Sequence, residues 1–392
     1  MATSVSDEAN GAGNESKAVS NEANAVSNEA NAVSNEANAV SNETNSSEIV
    51  LYYFPTSFCS QKVLIALKEK NAVFRKRLID LFELEQMEAW FMRINPRGEV
   101  PVLTHGEHVF CDSDSIINYI DKEINPDIKL VPAADTDFGK QIAHFRKLLF
   151  DYNIELLTFG TIFHPELMPE SVRNACLLRS QTKVKRTTSG PPPVKRCGLL
   201  ESLGKQCCRK SSEENALLFG VEASLIEFKE RALDSLSKLS ILADKNADLH
   251  ERYLSKVCIS TEKLNMMQDK EKIEEVLKEM DSIFDVIEEH LGKMKAESGQ
   301  DTWLCDAQFT AVDISLAVLL GRIWFLGFEP FFFPEERRPY LQAYWKKVQH
   351  HKSCWAVICC AREFMVKHFD EKHWSLESDW YKVQMGQFGI CW

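Results

Sequence analysis

The spacing of apolar positions changes several times along the chain, and each change marks an element. Residues 1 to 47 offer no such spacing, because they contain no Leu, Ile, Phe, Tyr or Trp and carry seven acidic residues against one Lys. A segment without side chains able to build a core is expected to be a disordered tail. NEANAVS repeats three times between Asn21 and Ser41 and sets Ala23, Val26, Ala30, Val33, Ala37 and Val40 at coiled-coil spacing. Three heptads with half the seam alanine fall short of the sustained pattern that a coiled coil requires. Order is expected from Ile49. IVLYYF reads as a buried strand, QKVLIALKEK from Gln61 to Lys70 as an amphipathic helix, and VFRKRLI as a second strand. LEQMEAWFMRI follows as a helix, PVLTHGEHVF as two short strands joined by a turn containing Gly106, and SIINYIDKE as a helix with Ser113 placed to cap it. This β, α, β, α, β, β, α order predicts an α/β thioredoxin-like N-terminal domain over 48–130.

Asn125, Pro126 and Pro132 mark a linker, after which the period becomes helical. Helices are expected at 138–157, 214–243, 248–265, 270–295, 310–326, 337–350 and 355–368, which makes 131–370 an all-α helical C-terminal domain. Residues 183–210 break the pattern with eight Lys/Arg, one Glu, three consecutive prolines and three cysteines, so they read as an exposed insertion. Residues 371–392 form a C-terminal tail.

Composition narrows the function. Asp and Glu outnumber Lys and Arg by 58 to 46, and a net charge of −12 argues against a surface built to coat nucleic acid. The N-terminal residues resemble neither a secretory signal nor an Arg-rich transit peptide, so a reducing, cytoplasmic setting is expected, with twelve scattered cysteines as free thiols. The apolar run at 311–328 is broken by Asp313 and Arg322 and reads as a buried helix rather than a membrane span. Thr310 and Asp313, three residues apart ahead of that run, form a capping box with a structural role. Cys354, Cys359, His368 and His373 lie too close together for the usual zinc finger, and no metal is expected.

Three groups carry candidate chemistry. Ser57, Cys59 and Ser60 stand in the turn before the first helix, where a hydroxyl and the helix dipole stabilise a bound thiolate. Val100 and Pro101 stand where a polar loop enters a strand, a place for a cis bond that leaves backbone open to an extended peptide ligand. Asp112 and Ser113 precede a helix and suit a ligand bearing both an ammonium and a carboxylate. Ordinary helix capping equally explains the first and third groups, and a cis bond at Pro101 is uncommon on sequence alone.

In this order the three groups resemble the N-terminal domain of the glutathione S-transferase superfamily, with LYYFPTSFCSQKVLIAL similar to the zeta class. The resemblance implies the glutathione S-transferase fold, with Ser57 as the thiolate-stabilising serine and Cys59 and Ser60 beside it. It also implies Val100 and Pro101 at the cysteinyl part of glutathione, Asp112 and Ser113 at the γ-glutamyl end, and leaves a homodimer open. Two positions depart from the pattern: Asp112 is one carbon shorter than the usual Glu, and Glu99 replaces a neutral Gln and would repel an anionic ligand. WFMRINPRGEVPVL, FHPEL at 163–167 and WLCDAQFTAVDISLAVLLGRIWFLGF resemble the ganglioside-induced differentiation-associated protein 1 family within that superfamily. That likeness implies a role in mitochondrial dynamics, that is fission and morphology, with protein partners at the mitochondrial surface. The alternative is an active cytosolic transferase that uses Ser57. No anchor is expected in the chain, so its location is expected to be cytoplasmic or peripheral at the mitochondrial outer membrane.

Overall fold

The computed structural model describes residues 48–169, 225–300 and 302–370. The repeat tail 1–47, the basic insertion 183–210 and the tail 371–392 lie outside the described residues. The N-terminal part runs β1 (Ile49–Tyr53), α1 (Phe58–Glu69), β2 (Arg75–Leu78), α2 (Ala89–Ile94), β3 (Val102–His105), β4 (His108–Phe110) and α3 (Ser113–Glu123). The sheet order is β2-β1-β3-β4, with β1 parallel to β2 from Val50 opposite Arg75 to Tyr53 opposite Leu78. All five residues of β1 are buried, which is why its sequence is apolar without alternation.

The rest is helical: α4 (Asp137–Asp151), α5 (Ile154–Phe163), α6 (Leu225–Lys245), α7 (His250–Gln268), α8 (Lys270–Ser298), α9 (Ala311–Phe325), α10 (Glu329–Phe332), α11 (Pro339–His350) and α12 (Lys352–Asp370). Among the described residues, Glu48, Ile49 and Thr104–His108 form one compact unit and the others a second, larger one. Among the described residues, no helix is long and apolar enough to cross a membrane.

Helix α1 packs against α3, α9 and α12, so its middle, Val63 to Leu67, is buried on all sides. Helix α9 is buried almost throughout, and its two charges are each engaged. The Asp313 carboxylate, with no exposed surface, accepts from the Leu304 N–H (2.7 Å), the Thr310 N–H (2.8 Å), the Thr310 hydroxyl (2.9 Å) and the Tyr344 hydroxyl (2.8 Å). Burial pushes this carboxyl up from its ordinary value while the four donors pull it down.

Three expectations change. The predicted helix 138–157 is two helices, because the Asn153 side chain accepts from the Leu156 N–H at 3.0 Å and caps α5. Asn competes well as a cap and poorly as a helix interior residue. The helix expected at 84–94 is a 3₁₀ turn, Glu85–Met87, followed by α2, with Leu84 at φ 61 and Glu88 extended between them. Finally, Ser113 does not cap α3. Asp112 does, its Oδ1 accepting from the N–H groups of Asp114 (2.7 Å) and Ser115 (3.2 Å). A carboxylate at the positive end of a helix gains from the dipole as well as the hydrogen bonds. Ser113 becomes the first helical residue and is buried.

Candidate functional site

The turn between β1 and α1 brings the first group together. Ser57 is the N-cap of α1: its Oγ accepts from the Ser60 N–H at 3.3 Å and faces the Val100 carbonyl at 3.5 Å. One hydroxyl thus touches both the helix end and the strand-entry loop. The Val100–Pro101 bond is cis. Cys59 is half-buried beside Ser57, one residue into the helix. Ser60 stays out of this surface. It has no exposed area, and its Oγ accepts from the Phe54 N–H at 3.4 Å.

The loop 95–101 is held from within. Asn95 donates from Nδ2 to the Glu99 carbonyl (2.7 Å), and its Oδ1 accepts the Arg97 N–H (3.1 Å). Gly98 sits at φ 57, where a Cβ would lie 2.9 Å from the Met92 sulfur, so this corner requires glycine. The Arg97 guanidinium reaches the Cys111 carbonyl at 2.5 Å, one residue before Asp112. Arg97 therefore ties the Val100–Pro101 loop to the Asp112–Ser113 helix start. Asp112 spends Oδ1 on the helix cap, which leaves Oδ2 for any ligand ammonium.

Two cations from the helical part complete the surroundings, and the local sequence around the three groups did not reveal them. Arg322 of α9 donates to the Thr56 carbonyl at 2.6 Å and reaches the Thr158 hydroxyl at 3.5 Å. Burial lowers its pKa to about 10, against which the Cys59 sulfur raises it, so it stays charged at neutral pH. Its signal in the sequence was a charge inside an apolar helix. Lys256 of α7 donates to the Arg97 carbonyl at 2.7 Å and stands 3.5 Å from Glu99. Its signal was fainter: a lysine between Tyr253 and Val257 on a face that turns inward.

What the arrangement offers a ligand is a hydroxyl at a helix N-terminus, an open strand-entry backbone and a carboxylate at a second helix N-terminus. The glutathione S-transferase N-terminal domain family matches residues 51–126 and the glutathione S-transferase C-terminal domain family matches residues 270–346. The fold is accordingly thioredoxin-like followed by helical. The chain is also similar to curated members of the ganglioside-induced differentiation-associated protein 1 family. It is 28% identical to ganglioside-induced differentiation-associated protein 1-like 1 of Homo sapiens over 306 residues, which are 77% of this chain and 71% of that protein. It is 40% identical to glutathione S-transferase 1 of Dianthus caryophyllus over 87 residues, 22% of this chain and 39% of that one. Among solved structures it is similar to the beta-etherase LigF from Sphingobium sp. strain SYK-6, at 19% identity and a TM-score of 0.46, over 79% of this chain and 98% of that one.

Proposed function

We propose that this protein binds glutathione at the N-terminal end of α1 and that Ser57 stabilises the thiolate for addition to an electrophile. The observation that carries the reading is the position of Ser57 Oγ, which caps α1 and lies 3.5 Å from the Val100 carbonyl. A thiolate placed there would receive the hydroxyl proton in a hydrogen bond and face the positive helix end, and both favour the charged form. The cysteinyl backbone would pair beside Val100, and the γ-glutamyl ammonium would meet Asp112. The thiol proton having passed to solvent, the sulfur lone pair forms the new carbon–sulfur bond; in a displacement the carbon–halogen bond breaks and halide leaves, and in an addition the π bond breaks and its carbon takes a proton from solvent.

The test is Ser57→Ala. Conjugation of glutathione to a generic aryl halide should fall by about two orders of magnitude, the scale of one lost electrostatic donor. Folding stability should fall by only about 1 kcal/mol, the cost of a cap. Equal rates in both proteins would remove Ser57 from the mechanism.

The likeness to the ganglioside-induced differentiation-associated protein 1 family supports a second, compatible reading, in which the protein acts in mitochondrial dynamics through partners at the mitochondrial surface. The hairpin α6–α7 favours it, since Leu233, Ile241, Leu254 and Ile259 are exposed there. On this reading the protein is cytoplasmic and peripheral at the outer membrane.

A further inference from the structure

The hairpin α6–α7, residues 225–268, lies outside both matched domain families, which cover 51–126 and 270–346. It nevertheless builds directly onto the candidate site. Leu239, Ala243, Leu249 and Tyr253 bury against Met87 and Met92, and the Tyr253 hydroxyl donates to the Met87 carbonyl at 2.8 Å. That contact fixes α7 alongside the segment 85–99, and one turn further on it delivers Lys256 to the loop.

We infer that Lys256 is a positioning and charge-compensating residue for anionic glutathione, coupling the added hairpin to the loop that carries Val100. The inference rests on the reading that glutathione binds beside Val100. Glu99 adds a carboxylate next to the residue that would pair with an anionic tripeptide, and alone it would repel that ligand. Here Glu99 lies between two cations, 3.5 Å from Lys256 and 3.7 Å from Arg97. The Lys256 side chain is only 12% exposed, so its attraction to Glu99 is screened far less than that of a surface pair. Its nearest other charges are already matched, since Lys263 binds Glu155 at 2.6 Å. Burial lowers the Lys256 pKa from its ordinary value and Glu99 raises it, so this carboxylate supports the ammonium.

Lys256 also acts through geometry. Its ammonium donates to the Arg97 carbonyl while the Arg97 guanidinium reaches the Cys111 carbonyl. One lysine therefore steadies the residue that connects both ends of the candidate site.

The experiment is calorimetric titration of reduced glutathione into the full chain, with unfolding measured in parallel for each variant. Lys256→Gln keeps a donor for the Arg97 carbonyl and removes the charge; Lys256→Met removes both. Affinity should fall about tenfold in Lys256→Gln and further in Lys256→Met, the effect of an uncompensated carboxylate at short range in a partly buried site. Glu99→Gln should bind within a few-fold of wild type, and added to Lys256→Gln it should restore most of the loss. A merely structural lysine would show no such rescue. Wild-type affinity in both Lys256 variants, or a loss that Glu99→Gln leaves untouched, would overturn the inference. Should Lys256→Met not fold, the Lys256→Gln and Glu99→Gln pair decides alone. Absence of binding by the wild type is a different result, and it would remove the glutathione reading itself.

Discussion

Replacing Asp313 by Ala should be among the most damaging single changes in the helical part, and its size follows from the donors it strands. The carboxylate accepts four hydrogen bonds between 2.7 and 2.9 Å, and neither it nor Leu304 has exposed surface. In Asp313→Ala the Thr310 hydroxyl can turn to another acceptor, but the N–H groups of Leu304 and Thr310 and the Tyr344 hydroxyl cannot. Each buried donor without a partner costs about 1–3 kcal/mol, which sums to roughly 3–9 kcal/mol. Against this stands the relief of not burying a charge, worth several kcal/mol. A net loss of about 3–5 kcal/mol is expected. Asp313→Asn should cost less, about 1–3 kcal/mol, because its oxygen can keep one pair of donors while its amide opposes the other. Tyr344→Phe removes one donor and should reduce the Asp313→Ala penalty by at least 1 kcal/mol when the two are combined. Urea unfolding followed by tryptophan fluorescence suits the measurement, since the Trp303 ring lies 5.7 Å from that of Tyr344. A shift below 1 kcal/mol in Asp313→Ala, or strict additivity with Tyr344→Phe, would refute the account of a shared buried network.

Two further outcomes can be checked independently. Arg338, fully buried, pairs with Asp281 at 2.9 Å and Arg337 pairs with it at 2.6 Å. Burial raises the Asp281 carboxyl, but these hydrogen bonds outweigh burial and hold it below its ordinary value. A depressed folded pKa gives stability that is present above the unfolded value of 3.8 and lost as pH falls through the folded one. Acid unfolding should therefore show a fall in stability below about pH 4 that is shallower in Asp281→Asn, and identical acid limbs would count against the pairing. For location, residues 183–210 carry eight basic side chains, and such segments gain about 1 kcal/mol per charge near an anionic surface. Any mitochondrial association should then be released by salt, and survival in the membrane pellet after an alkaline carbonate wash would contradict peripheral binding.

The residues around the site divide by how far their partners lie along the chain. The apolar run of β1, the period of α1 and the helical stretches from 138 onward are local properties, set by side chains a few positions apart, and they were legible in order and type. So was the gathering of Ser57 and Cys59 at a helix start. Local reading failed where two residues competed for one local task. Asp112 and Ser113 could each cap α3, and the charge that decides between them acts only once the helix exists. Asn153 could continue a helix or begin one, and its own side chain settled the choice.

The sequence by itself determined a thioredoxin-like layer followed by helices, a hydroxyl-bearing helix start, and two charges inside an apolar helix at Asp313 and Arg322. Only the tertiary structure decided what Arg322 and Lys256 do, because their partners are remote: Arg322 meets the Thr56 carbonyl across 266 positions and Lys256 meets the Arg97 carbonyl across 159. Periodicity reports which face of an element turns inward, but not which other element meets that face. A buried charge must find a counter-charge or a hydrogen-bond partner wherever packing brings one, and the hairpin α6–α7 brought Lys256 to Glu99, the residue whose charge had appeared to oppose an anionic ligand.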